Sequence, residues 1–383
     1  MKIAHLCLSC FYIDGYSYQE NELVAQHVAE GHDVVVIAST ETYGPDRRLT
    51  YVKPGEYLGS DGARVIRLGY RKGLPHVVAR KIRAHPGLYK LLQKEAPDII
   101  LFHGLCGWEL KTVARYKRAY PGTSLFVDSH EDANNSARTA ISKYFLHMSI
   151  YRPIILRALK SVEKVLCVSM DTIEFVKKFY GVPEHLVEFY PLGGKIFSDE
   201  EYAVRRAAAR YTYDLADSNV LFVQSGKIDA SKKLLESLAA FSRTEGRQYR
   251  FLIAGHISDS IREQVSAFLR KDARIKYVGW KSPEELRDLL CAADVYVQPG
   301  TQSATMQMSL CCRCVVILDD VRSHKPFVDG NGWLVGGGLS LEQAFTAVSE
   351  NVGDLREMSA RSGEIASRLL DYRVLAARLF IKN

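Results

Sequence analysis

Short runs rich in Val, Ile and Leu recur along the chain, separated by helix-length stretches whose apolar residues fall on one face. Continuous apolar runs of this length read as strands covered on both sides, and the intervening helices as crossovers of a parallel sheet. A first series is predicted at Lys2 to Leu8, Val34 to Ala38, Arg64 to Leu68, Ile99 to Phe102, Leu125 to Val127, Lys164 to Val168 and Val187 to Tyr190. A second follows at Val220 to Gln224, Arg250 to Ala254, Ile275 to Val278, Val295 to Gln298, Val315 to Leu318 and Gly332 to Val335. The turn-rich Pro191-Leu192-Gly193-Gly194 divides them. The expectation is an α/β protein of two Rossmann-like domains, residues 1–192 and 193–366, facing a central cleft.

Composition narrows the class. With 383 residues, 47% hydrophobic and 25% charged, the chain has apolar content for two cores. No apolar run approaches the eighteen or so residues of a membrane span, and Met1-Lys2-Ile3-Ala4 leads straight into a strand rather than a signal peptide, so a cytoplasmic location is expected. The eight cysteines agree. Cys7 and Cys10 form a CxxC and Cys311, Cys312 and Cys314 cluster near a helix end, but neither spacing makes a paired zinc knuckle, and no metal is expected.

The net charge of +7 is uneven: eleven Lys and Arg against three acids lie between Arg71 and Arg118. Apolar residues interleave with them, which fits an anionic membrane surface or a phosphorylated acceptor as well as the solvated faces of two helices. No nucleic-acid reading motif accompanies the charge, and nucleic acid is set aside.

The run most suggestive of chemistry is Gly226-Lys227-Ile228-Asp229-Ala230-Ser231-Lys232, placed between the apolar Val220 to Val223 and a helical segment from Leu234. Ligands of parallel α/β sheets lie outside the carboxyl ends of the strands, where main-chain N–H groups favour negative charge. Lys227 and Lys232 there suit a diphosphate, while a solvated lysine patch reads from the same letters. Gln298 to Gln307 repeats the strand, glycine turn, helix-start order. In it Gly300, Gln302, Ser303, Ala304 and Thr305 offer hydroxyl and main-chain donors to a phosphate or sugar, or simply cap a helix.

Several further motifs occur in order: Gly31-His32-Asp33-Val34, Ser129-His130-Glu131-Asp132, Tyr180-Gly181-Val182-Pro183, Ala293-Asp294-Val295-Tyr296-Val297 and Asp329-Gly330-Asn331-Gly332. Together with the lysine segment they resemble the GT-B-fold retaining glycosyltransferases of the large bacterial polysaccharide and lipopolysaccharide group, the family 4-like group 1 enzymes, over nearly the whole chain. The resemblance implies a basic pair on the donor diphosphate at Lys227 and Lys232, with Gly226 beside it. It implies His130 next to the donor's anomeric carbon, Gly15 letting backbone approach the donor phosphate, and Gln307 on the ribose diol. The chain departs from the group where relatives carry two glutamates with seven residues between them, since Pro299 and Gln307 stand there; the resemblance also implies that 367–383 return to the first domain as a helix. Tyr16, Tyr18, Glu20 and His103 are candidates for an acceptor pocket, although Ser17 and Glu20 also read as a helix capping box.

The implied activity is transfer of a sugar from a nucleotide-diphosphate donor to a glycan or polyprenyl-linked acceptor, with retention and without a cofactor. A sugar-nucleotide epimerase of related fold and a catalytically silent glycan-binding partner are the alternatives.

Overall fold

The structure, a computed structural model, describes residues 1–44, 48–73, 75–132, 141–301 and 303–380. The chain forms two compact units, Met1–Pro191 with Leu375–Asn383, and Leu192–Val374.

The first unit is built on an eight-stranded sheet. Its order is Val187–Phe189, Lys164–Cys167, Ser124–Ser129, Ile99–Phe102, Lys2–Cys7, Asp33–Ser39, Arg64–Leu68 and Gly55–Leu58. Every pairing is parallel except the last. The central strands pack on both faces, so Ile3, Val35, Ile37, Ile100 and Leu125 are fully buried. Two features escaped the sequence reading: the antiparallel edge strand Gly55–Leu58 and the small hairpin of Glu41–Tyr43 with Leu49–Tyr51. The edge strand is exposed along its length and carries no burial pattern to read.

Residues near the carboxyl end close this unit. Tyr190 Oη donates to the Leu375 carbonyl at 2.8 Å, the Arg378 guanidinium pairs with Glu188 and donates to the Phe189 carbonyl, and Phe380 packs edge-on against His27.

The second unit has a six-stranded, wholly parallel sheet in the order Ile275–Tyr277, Tyr249–Ile257, Val220–Ile228, Val295–Gln298, Val315–Asp319 and Gly332–Val335. Phe222, Phe241, Phe251 and Phe345 stack into its core. The strand predicted to stop at Gln224 runs on to Ile228. Gly226 and Lys227 are therefore strand residues, and the loop begins only at Asp229. Gly226 pairs with Gly255, both at positive φ, and a Cβ on Gly255 would stand 2.0 Å from the Gly226 carbonyl oxygen. Glycine at both positions keeps the ladder intact where a reading by residue type expects a turn.

No described helix is long and apolar enough to cross a membrane.

Candidate functional site

Each unit gathers polar groups at the carboxyl ends of its own strands. In the second unit Asp229 accepts from the Ser231 N–H and turns the chain after the long strand into a short 3-10 turn, Ala230–Lys232. Lys232 is half-buried, and its Nζ donates to the Thr301 carbonyl at 2.9 Å and to Thr301 Oγ1 at 2.6 Å. Burial lowers its pKa. Its neighbour Lys233 turns the other way and pairs with Asp319 at 3.4 Å, while Lys227 is exposed.

A polar network supports this lysine. Gln298 Nε2 donates to the Thr301 carbonyl at 2.6 Å and its Oε1 accepts from Ser303 Oγ at 2.6 Å and Tyr296 Oη at 2.9 Å. Thr305 Oγ1 lies 2.8 Å from Ser303 Oγ and 2.9 Å from Tyr296 Oη. Gln224 Nε2 donates to the Lys232 carbonyl at 2.7 Å. Side chains held on so many sides are fixed before any ligand arrives.

Ser303 caps the helix Ala304–Cys311, accepting from the Met306 N–H. The cap and the ligand readings of this segment coexist, because the Ala304 and Thr305 N–H groups belong to the first turn and have no intrahelical acceptor. Gly300 serves packing: a Cβ there would stand 2.2 Å from the Ser231 carbonyl oxygen and 2.8 Å from Lys232 Cα. Its glycine lets the two loops touch, which is what brings Thr301 to Lys232. Gln302 lies outside the described residues. Gln307 is 1% exposed and its buried Oε1 has no partner among the described residues, an acceptor left open for a hydroxyl donor.

In the first unit, the strand Ser124–Ser129 delivers Asp128, and the loop after it carries His130 and Glu131. Asp128 is buried. One carboxylate oxygen accepts from the Gly104 N–H at 2.7 Å, and the other lies 2.5 Å from His103 Nδ1 and 3.9 Å from His130 Nε2. His103 Nε2 lies 3.0 Å from His5 Nδ1, and His5 Nε2 lies 3.0 Å from His27 Nδ1. Three imidazoles and a carboxylate thus form one buried chain.

Burial and one close pair set the charges along it. Burial drives His5 well below the ordinary histidine range and His27 down to about 4, so both are neutral. Burial also works against a charged His103, but the Asp128 carboxylate and its hydrogen bond, with help from Cys7 and Glu20, outweigh it and raise His103 to about 10. Burial pushes Asp128 up, and His103 more than reverses this, holding Asp128 below its usual value. The result is a buried imidazolium–carboxylate pair.

The structure corrects the reading of His103 as an acceptor contact. It is 2% exposed and both ring nitrogens are engaged, so it acts on Asp128. His130 keeps an exposed ring. Glu20, its pKa raised by burial, feels His103, His130 and Asp128 and belongs to the same cluster. Tyr16 and Tyr18 stack loosely, 5.6 Å between centroids, and remain exposed. The Ser17–Glu20 capping box does not form: the helix starts at Gln19 with Tyr18 at its N-cap and no side-chain cap. Gly15 takes φ +77°, with nothing closer to a Cβ than Ser60 Oγ at 3.9 Å. Buried Arg67, which sequence reasoning did not single out, donates to the carbonyls of Tyr12 and Ser39 at 2.9 and 3.0 Å and so ties down this loop. Asp128 and His5 were missed because each sits in a largely apolar strand, and His27 because it is one polar residue among several in the helix Gln19–Ala29.

Among the described residues, no group of three His, Cys, Asp or Glu is placed to hold a metal ion.

Residues 18–193 match the family model described as Glycosyltransferase Family 4. Over this stretch, a little under half of its length, the chain is similar to the family 4 glycosyltransferases. No curated protein matches the chain by sequence. Among solved structures, sucrose-phosphate synthase from Thermosynechococcus elongatus aligns with a TM-score of 0.64 at 15% identity, covering 99% of this chain and 97% of that one. HepE from Anabaena, solved in complex with UDP, aligns with a TM-score of 0.65 at 13% identity over 99% and 98% of the two chains. WaaG, a glycosyltransferase involved in lipopolysaccharide biosynthesis, gives 0.62 at 15% identity over 98% of each. At such identities the likeness is one of fold, the GT-B fold of two Rossmann-like domains.

Proposed function

We propose that this protein is a glycosyltransferase that transfers a sugar, with retention, from a nucleoside-diphosphate sugar to a hydroxyl of a glycan or lipid-linked glycan during surface polysaccharide synthesis. The observation that carries the reading is Lys232, a half-buried cation held by the Thr301 carbonyl and hydroxyl beside the first-turn N–H groups of Ala304 and Thr305. A diphosphate meets both a charge and oriented dipoles there. The neighbour HepE is known in complex with UDP-glucose, which supports a nucleotide-sugar donor. WaaG supports a place in surface polysaccharide synthesis.

In this reading residues 193–366 bind the donor and residues 1–192 the acceptor. The bond from the anomeric carbon to the diphosphate breaks as the bond to the acceptor oxygen forms on the same face, and the acceptor proton passes to the departing phosphate. Lys232, assisted by Lys227, stabilises the charge that develops on the leaving group. Ser303 and Thr305 hold the network that fixes these donors, and His130, with Asp128 behind it, holds the sugar. No dedicated base is needed, so the protein's contribution is positioning and charge stabilisation.

The test is a panel of nucleoside diphosphate sugars, with and without acceptor, that includes 2′-deoxy donors. Slow release of nucleotide without acceptor is the expected result. Sugar interconversion without release marks an epimerase, and absence of all binding a silent partner. With Gln307 Oε1 accepting from the ribose diol, the 2′-deoxy donor binds more weakly, and Gln307→Ala removes most of that difference. Equal binding of both donors to the unsubstituted enzyme would leave Gln307 a packing residue.

We also propose that the enzyme is cytoplasmic and contacts the membrane face peripherally. The basic stretch is divided in the fold: Lys111 sits 3.2 Å from the Trp108 ring centroid, Arg115 over Tyr89, and Lys117 against Glu163. Arg80, Lys81 and Arg83 remain as the compact cationic group, at the end of the helix His76–Ile82, whose Val77 is 59% exposed. Charge near an anionic surface adds about 1 kcal/mol per residue and weakens with salt. Sedimentation with anionic vesicles at low ionic strength is expected, and should be lost on neutralising Arg80, Lys81 and Arg83 together. Binding indifferent to lipid charge would remove this contact.

A further inference from the structure

A cavity of about 950 Å³ lies wholly within the first unit, and none of the donor or acceptor candidates named above lines it. It sits at the upper end of small-molecule sites, which run to roughly 1,000 Å³. Its wall is apolar, made by Phe11, Leu49, Val78, Ile82, Leu146 and Ile150. Leu146 and Ile150 come from a π-type helix, Ile141–Tyr151, whose wide turns are of a kind found mostly at functional sites. Tyr151 fastens this helix to the helix that bears Val78 and Ile82, its hydroxyl donating to the Lys81 carbonyl at 2.8 Å.

Three cations share the cavity with this wall: Arg80, Lys81 and Arg83. Arg83 also acts electrostatically on Glu131, which lines the cavity beside Cys106 and His147. Phe145, which lines the cavity, and Val77, just outside it, are 66% and 59% exposed, an apolar rim beside the basic group.

The lining selects its occupant. A free sugar finds hydrogen-bond partners at Glu41, Glu131 and the three cations but leaves six apolar side chains uncovered. An uncharged lipid gains nothing from three cations, and a small phosphorylated sugar leaves the apolar wall wet. An amphiphile with a hydrocarbon chain and a phosphate satisfies both parts, and the exposed apolar rim lets it enter from a lipid surface. We propose that this cavity takes the hydrocarbon chain of a membrane-borne acceptor, with Arg80, Lys81 and Arg83 holding its phosphate. This deepens the transferase reading by naming the acceptor class, and rests on it.

Binding of geranylgeranyl monophosphate, geranylgeraniol and inorganic phosphate to the full chain is the test, by titration calorimetry below the micellar range. The monophosphate should bind at least tenfold more tightly than either of the others. Ile150→Trp, which fills the cavity, should weaken it at least tenfold. Arg83→Asn, which removes the charge while suiting the left-handed backbone at that position (φ +55°), should reduce the preference over the alcohol. Thermal melting verifies that each variant is folded, and Leu146→Trp replaces Ile150→Trp should the latter not fold. Absence of lipid phosphate binding, or binding unchanged in folded filling variants, overturns the proposal. UDP and GDP titrated into the same preparation separate the two readings: a nucleotide bound with no lipid phosphate bound refutes the cavity's role alone, and binding of neither refutes the transferase as well.

Discussion

Lys232→Ala is expected to cut turnover by roughly 10²–10³-fold, the effect of removing one preorganised donor from a site of developing negative charge. Of the three lysines in its loop and strand, Lys232 alone is both half-buried and aimed at the Thr301 turn, whereas Lys233 is neutralised by Asp319 and Lys227 stands in solvent. Its Nζ donates to the Thr301 carbonyl and hydroxyl, which fix the direction in which the ammonium points. The fold should lose about 1 kcal/mol or less, since the substitution deletes the hydrogen bonds of one partly exposed side chain. Lys227→Ala should cost less than Lys232→Ala. Steady-state rates with saturating acceptor, alongside urea melts of each variant, make the measurement, and unchanged turnover in folded Lys232→Ala enzyme would place the diphosphate elsewhere.

The largest stability effect is expected at the buried histidine chain. His103→Gln leaves the Asp128 carboxylate buried with its charge partner gone, a loss of about 3–5 kcal/mol, most of it restored when Asp128→Asn is added. Additive losses in the double variant would show that the pair does not act as a unit. The pH dependence follows from the same groups. His103, raised to about 10, contributes stability fully present below about 6.5 and lost as pH rises toward 10. Asp128, held low, contributes above about 3.8 and loses it as pH falls through its native value. His27 and His85, both held by burial at about 4, oppose folding between about 6.5 and 4, where the unfolded chain takes up their protons first. Urea melts across this range should therefore show stability falling on both sides of a maximum between the two limbs, and a flat profile would contradict the charge states assigned.

The parallel strands were legible because residues buried on both faces leave unbroken apolar runs. Arg64–Leu68, Ile99–Phe102, Val295–Gln298 and Gly332–Val335 end where those runs end. Gly226 defeated the reading of the long strand, because its glycine signals a turn to any local rule while its use is to face Gly255 across the ladder. Lys227 and Lys232 could be singled out from their neighbours, but not that one is exposed and the other fixed to Thr301, which depends on a contact 69 residues away. The histidine chain was illegible for a similar reason. His5 and His103 are 98 residues apart, and each sits within or beside an apolar strand where a lone polar residue conveys nothing about its partner.

The first unit is assembled from two separated stretches, with Tyr190 and Glu188 waiting for Leu375 and Arg378. A ribosome must make the whole of Leu192–Val374 between them. At about 5–20 residues per second that interval is roughly ten to forty seconds. Throughout it the nascent sheet carries an unclosed side at His27, where Phe380 will later pack. The second unit, continuous in the chain, suffers no such delay, so the half of the protein that emerges first is the half that finishes last.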